Sequence, residues 1–162
     1  MPCKNKGKEE APMRHAQISL SPGTGPVPAI DPEPQLGYVL YRSVASPGLE
    51  DDDIDRLLRR AQHRNRSLGL TGCLHHENGL FFQWLEGPRA PLFRLLEELR
   101  DDFRHVGFTV LDQGTLEARV FDDWDMQFSD RQGASLNDWL ARDMDPMEEA
   151  QAVGRFLASL RD

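Results

Sequence analysis

The chain has 162 residues, 39% of them hydrophobic, enough for one domain with a sizeable core and room for tails. A net charge of -8 argues against nonspecific nucleic-acid binding, because neutralising phosphates needs a basic surface. No apolar run approaches the roughly 20 residues of a membrane helix, so no membrane association is expected.

Residues 1–35 are rich in Pro, Gly, Ser and charge and read as a flexible arm. Their opening, MPCKNKGKEE, has no apolar signal core. Of the two cysteines, Cys3 lies in this arm and Cys73 in a strand, so no disulfide framework is expected and the protein reads as cytoplasmic. A first strand, GYVLYRSVA (37–45), ends at Ser46-Pro47-Gly48. An amphipathic helix follows over about 50–64, with Ile54, Leu57, Leu58 and Ala61 on one face and acids in the first turn, where they favour the helix dipole.

A β-hairpin comes next, with strands near 70–76 and 79–86 around a short polar turn. A second helix spans about Pro91 to Asp102, with Leu92, Leu95, Leu96, Leu99 and then Phe103 on one face. GFTVLDQG and RVFDDWDMQF read as two further strands. The order β-α-β-β-α-β plus one strand is the ferredoxin-like α+β pattern, an antiparallel-rich sheet with two helices on one face. The other face needs cover. The segment SLNDWLARD, carrying Trp139, and a last helix can provide it; Asp145 as N-cap, Pro146 at N1 and Glu148 at N3 mark that helix's start. Ala150, Val153, Leu157 and Leu160 form its apolar stripe, which suits the outer sheet face or a second subunit. The expected layout is an arm (1–35), a core domain (36–129) and a helical extension (130–162).

Few residues suggest chemistry by themselves. No nucleophile has a G-x-S-x-G context, and no Walker or Rossmann glycine loop is present. Cys73, His75, His76 and His63 form a weak metal-like group. Cys73 and His75 share a strand face while His76 points the other way, so turn-proximal, solvent-facing histidines are expected and no metal. Gln83 is the informative residue. Phe81, Gln83 and Leu85 share one face of an apolar strand, and Leu80, Phe82 and Trp84 share the other. A strand apolar on both faces is central, and an amide buried there costs about 1–3 kcal/mol if unpaired. Tyr41, on what should be the adjacent strand, is its best partner. A structural Tyr–Gln pair satisfies this pattern without any ligand.

Taken together, Tyr41 in YRS, Asn65 ahead of LTGCL, Gln83 in NGLFFQWLEG, DDFRH after the second helix and FDDWDM near residue 126 resemble the BLUF domain, a flavin-based blue-light sensor. The wording is especially similar to the sensory domain of the purple-bacterial photosynthesis-gene antirepressor. By itself Asn65 reads as a left-handed residue at the helix end; the resemblance makes it a flavin ligand.

The resemblance implies non-covalent FAD (or FMN or riboflavin) between the two helices. Gln83 would stand between the flavin and the Tyr41 hydroxyl, Asn65 and Arg64 at the polar ring edge, and Leu70 against the ring. Asp102, Arg104 and His105 would lie near the ribityl side or ring edge. Light would draw an electron and then a proton from Tyr41, and Gln83 would rearrange its amide. The signal would leave through Trp84, Met126 and Trp124, without any substrate being turned over. The chain reads as a stand-alone sensor, not an enzyme, signalling to an unidentified effector protein or through its own assembly, with a homodimer favoured. The competing readings are a flavin-free ferredoxin-like interaction module and a small metal or redox enzyme.

Overall fold

A computed structural model of the protein describes residues 35–103, 105–123, 125–142 and 148–161. The arm (apart from Gln35) and the helix start read at Asp145–Pro146 lie outside them. In chain order the elements are β1 (Leu36–Ala45), α1 (Asp51–Leu68), β2 (Thr71–Glu77), β3 (Leu80–Pro88), α2 (Arg89–Arg100), β4 (His105–Leu116), β5 (Gln127–Asp130), α3 (Leu136–Arg142) and α4 (Glu149–Ser159). The strands form one sheet in the order β4-β1-β3-β2-β5, antiparallel except where β5 runs parallel to β2. This is the expected ferredoxin-like α+β fold with an added strand.

The β2–β3 hairpin turns on Asn78 (φ 52°) and Gly79 (φ 75°), the two successive positive-φ residues a tight hairpin favours. That turn sets the register of β3, and β1 pairs beside it with Tyr41 directly opposite Gln83. β3 is the middle strand, and its alternation separates two cores. Val39, Tyr41, Phe81 and Leu85 pack beneath Ile54, Leu58 and Ala61 of α1 and Leu92, Leu95, Leu96 and Leu99 of α2. On the opposite face Leu40, Cys73 and Phe82 meet Leu136 of α3 and Val153, Phe156 and Leu157 of α4. The C-terminal helices therefore cover the outer sheet face, as the stripe suggested. The stripe's need for cover is met within the chain, which removes it as a reason for a dimer.

Four boundaries differ from expectation. α1 runs to Leu68 and stops at Gly69 (φ 66°), whose N–H bonds the Arg66 carbonyl. Asn65 is therefore an internal helical residue, and glycine takes the left-handed position without a Cβ penalty. α2 starts earlier than expected and ends at Arg100, so Phe103 lies past its end and is 88% exposed. The strand read over 119–128 is reduced to Gln127–Asp130, because the N–H groups of Val120 and Phe121 bond the Glu86 carboxylate instead of a neighbouring strand. Glu148 is the N-cap of α4 and not its third residue. Among the described residues no helix is long and apolar enough to cross a membrane.

Candidate functional site

Tyr41 and Gln83 are both buried, and the Tyr41 hydroxyl donates to Gln83 Oε1. The other end of the amide, Nε2, donates to Met126 Sδ at 3.4 Å. One glutamine thus uses its acceptor on β1 and its donor on the segment just before β5. Burial pushes the Tyr41 phenol well above its ordinary pKa; the Arg64 charge pulls the other way and Asp102 adds to the rise. Tyr41 is therefore a neutral hydrogen-bond donor at physiological pH. Its ring packs on Phe108, with centroids 4.5 Å apart.

This pair forms the floor of a cleft between α1 and α2. Leu57, Ala61 and Arg64 line it from α1, Leu99 closes it from α2, and Asp102 stands just past the end of α2. The cleft encloses about 530 Å³ of space between atoms, part of it open solvent. Two buried oxygens lack hydrogen-bond partners among the described residues: Ser43 Oγ on the cleft wall and Asn65 Oδ1 on α1, a residue that does not itself line the cleft. Buried polar atoms are rarely left so, and a ligand in the cleft with a polar edge would satisfy Ser43. Asn65 is held in place because its Nδ2 donates to the Asp125 carbonyl at 2.7 Å. Gln62 Nε2 likewise bonds the Met126 carbonyl at 3.1 Å. α1 thereby clamps the chain that carries the thioether. Apolar walls with a few fixed polar groups fit a flat heteroaromatic ring such as a flavin.

Of the expected site residues, the structure brings Tyr41, Gln83, Arg64 and Asp102 together at the cleft, and Met126 reaches Gln83 from beside it. Leu70 is buried in the inner core but does not line the cleft; Leu57, Leu74, Phe81 and Leu99 supply its apolar walls. Arg104, Trp124 and the side chain of His105 lie outside the described residues. Trp84 faces the outer core, stacked on Tyr38 (4.5 Å, 6°), with its indole N–H donating to Glu86 at 2.9 Å. Of Trp84 and Met126, therefore, Met126 is on the cleft side. Sequence reasoning missed Ser43, Leu74 and Phe81. The signal for Ser43 and Phe81 was alternation, since each lies two residues from Tyr41 or Gln83 on its own strand.

His63 is exposed as expected, but His75 and His76 differ from the solvent-facing reading. His75 is buried, bonded to Glu77 (3.1 Å) and Ser129 (3.2 Å), because α4 covers the outer face. His76 packs on Phe81 of the inner core, with ring centroids 4.7 Å apart and the rings tilted by 33°. Burial pushes the Cys73 thiol up to about 12, far from a reactive thiolate.

A family model described as sensors of blue-light using FAD matches residues 36–127. Photoactivated adenylate cyclase subunit beta of Euglena gracilis is 33% identical over 104 residues, which are 64% of this chain and 12% of that protein. Its counterpart in Euglena longa is 30% identical over the same shares. The chain thus matches only a small part of the length of these relatives. The dark-state structure of BlrB, a BLUF protein, has a TM-score of 0.68 at 30% identity, covering 78% of this chain and 97% of that one. The BlrP1 BLUF structure has a TM-score of 0.61 at 28% identity, covering 79% and 90%. With a family match over more than half its residues, a shared fold and a cleft suited to a flavin, the chain belongs to the BLUF family, the sensors of blue light using FAD.

Proposed function

We propose that this protein senses blue light through the Tyr41–Gln83 hydrogen bond and passes the signal to a partner protein or to its own assembly. The observation that carries the reading is the Tyr41 hydroxyl donating to Gln83 Oε1 on the floor of the α1/α2 cleft. Asn65, Ser43 and Arg64 would hold the polar edge of FAD, and Leu57, Leu74 and Leu99 its faces. Bound FAD supplies absorption of blue light and, once excited, an electron acceptor. Tyr41 would give up an electron and its hydroxyl proton and take both back once the Gln83 amide has turned, so that nothing is consumed. In the dark its raised pKa keeps that proton on the phenol, directed at Gln83 Oε1. The Gln83 amide carries both a donor and an acceptor, so turning it end for end exchanges their positions. Met126 Sδ is a weak acceptor, so Nε2 leaves it at small cost.

The output route follows from the same bonds. A reoriented Gln83 releases Met126, which sits one residue before β5. β5 pairs with β2, and β2 reaches α3 through Glu77. We assign residues 36–129 to sensing and 130–162 to relaying the signal, with no catalysis by either. A cytoplasmic location agrees with Cys73 as a free thiol. Assembly with a second copy would use a surface other than the buried C-terminal stripe.

The test is an absorption spectrum of the purified protein before and after blue light. A flavin spectrum that shifts slightly to the red and recovers in darkness is expected. A protein that stays colourless after reconstitution with FAD would reduce Tyr41–Gln83 to a structural pair in a flavin-free interaction module. Bound flavin without a reversible shift would overturn the switch alone.

A further inference from the structure

α1 has 18 residues, and its charges are sorted along it. Ile54, Leu58, Ala61 and Asn65 form its buried face, and Asp51, Asp52, Asp55, Arg56, Arg59 and Arg60 are exposed. Acids occupy the first part and arginines the next, with the sign changing between Asp55 and Arg56. The helix dipole favours this order only within the first and last turns, and Asp55, Arg56, Arg59 and Arg60 lie between them. Arg56 is paired with Asp53 at 2.9 Å, but Asp51, Asp52, Asp55, Arg59 and Arg60 form no ion pair among the described residues. The large exposed hydrophobics, Val44, Phe103, Val106 and Leu140, all lie on other elements. The outer face of α1 is therefore a charged strip with two signs and no apolar centre.

We infer that this strip docks on the same strip of a second copy of the chain, the two α1 helices running antiparallel across a two-fold axis between Asp55 and Arg56. A two-fold interface joins one patch to itself, so the patch must be its own complement. A helix that is acidic on one side of the axis and basic on the other meets that requirement. Antiparallel pairing about this point sets Asp55 opposite Arg56, Asp52 opposite Arg59 and Asp51 opposite Arg60, and the symmetry forms each pair twice. A parallel arrangement in register would set like charges side by side, which is repulsive. The Arg56 guanidinium has donors enough to keep its own Asp53 and meet Asp55 of the second copy. Single exposed ion pairs contribute little, so the association depends on the whole array and is weak and reversible. It does not depend on flavin occupancy of the cleft, so its test and the spectral test can fail separately.

The test is sedimentation equilibrium of the full chain in darkness. The protein should self-associate at low ionic strength. Its dissociation constant should rise about tenfold or more between about 0.01 M and about 1 M salt, as the Debye length falls from about 30 Å to about 3 Å. Asp52→Lys with Asp55→Lys makes positions 52, 55, 56 and 59 wholly basic, and Arg56→Glu with Arg59→Glu makes them wholly acidic. Each double variant alone should be monomeric, and an equimolar mixture of the two should associate more tightly than the unmodified protein. Recovery in the mixture shows that neither variant lost association by misfolding. An unmodified chain that stays monomeric at low salt would overturn the inference. So would double variants that still self-associate alone, a mixture that does not associate, or association that strengthens with salt.

Discussion

Gln83 is buried with both ends of its amide occupied, and that makes it a switch candidate as much as a structural residue. A buried amide with fixed partners is stable in one orientation; one that can exchange donor and acceptor has a second orientation available. Tyr41→Phe removes the oxidisable phenol with little change of shape, and Gln83→Leu removes the amide. Each variant should still bind flavin, and neither should give the normal reversible red shift, as read by difference spectra under blue light. Gln83→Leu also leaves the buried Tyr41 hydroxyl unpaired, so its stability should fall by about 1–3 kcal/mol, measured by urea denaturation. Because the Tyr41 pKa lies above the ordinary 10, its hydroxyl stays protonated where an exposed tyrosine is half ionised. The photocycle amplitude should therefore persist at pH 10, and a loss following an ordinary phenol titration would contradict the geometry.

At the scale of elements, the end of β2 shows how helical cover changes the character of residues. His75 lies edge-on to Phe156 of α4, with centroids 4.8 Å apart. Glu77 accepts from the Ser135 hydroxyl at 2.8 Å and the Leu136 N–H at 2.7 Å, so a strand carboxylate occupies the N-terminus of α3. Burial alone would raise the Glu77 pKa, but the bonds from His75, Ser135 and Leu136 hold it below the usual carboxylate value. A depressed carboxylate stabilises the fold fully above its unfolded pKa and loses that contribution as pH falls through the folded value. Glu77→Gln should therefore cost about 1–3 kcal/mol at pH 7 and narrow its gap to the unmodified protein under acid conditions, as read by urea midpoints across pH 3–7. Gly72, on the same strand, lies so near β3 that a Cβ would collide with the Trp84 carbonyl oxygen. Gly72→Ala should disrupt the β2–β3 pairing and lower the thermal midpoint more than Glu77→Gln does.

Among the described residues one sheet carries a core on each side. The α1/α2 side holds the cleft; the α3/α4 side buries Leu40, Cys73 and Phe82. Deleting residues 134–162 would leave the cleft residues in place and expose the outer core, an apolar patch that invites association. The expected outcome is an intact spectral shift in the soluble fraction with increased self-association by light scattering. A truncated chain that assembles like the full-length protein in both dark and light would show that the extension neither covers nor relays.

The order of elements, the central position of β3, the two apolar faces and the Tyr41–Gln83 pairing were legible in the sequence, because strand alternation and helical spacing are local and periodic. Gln83 and Tyr41 stand out in the sequence because buried polar residues on apolar strands demand partners, whereas Asn65, by itself a left-handed helix end, stands out only through the family resemblance. Tertiary structure alone decided that Asn65 is helical, that His75 is buried, that Met126 and not Trp84 reaches Gln83, and that Phe103 is exposed on a hollow beside the cleft. Each depends on what packs against a residue from a distant part of the chain. α4 buries His75, Glu86 draws away the backbone that would have lengthened β5, and Gln62 and Asn65 clamp the segment carrying Met126. Periodicity determines which face a side chain takes, but only the fold determines what covers that face.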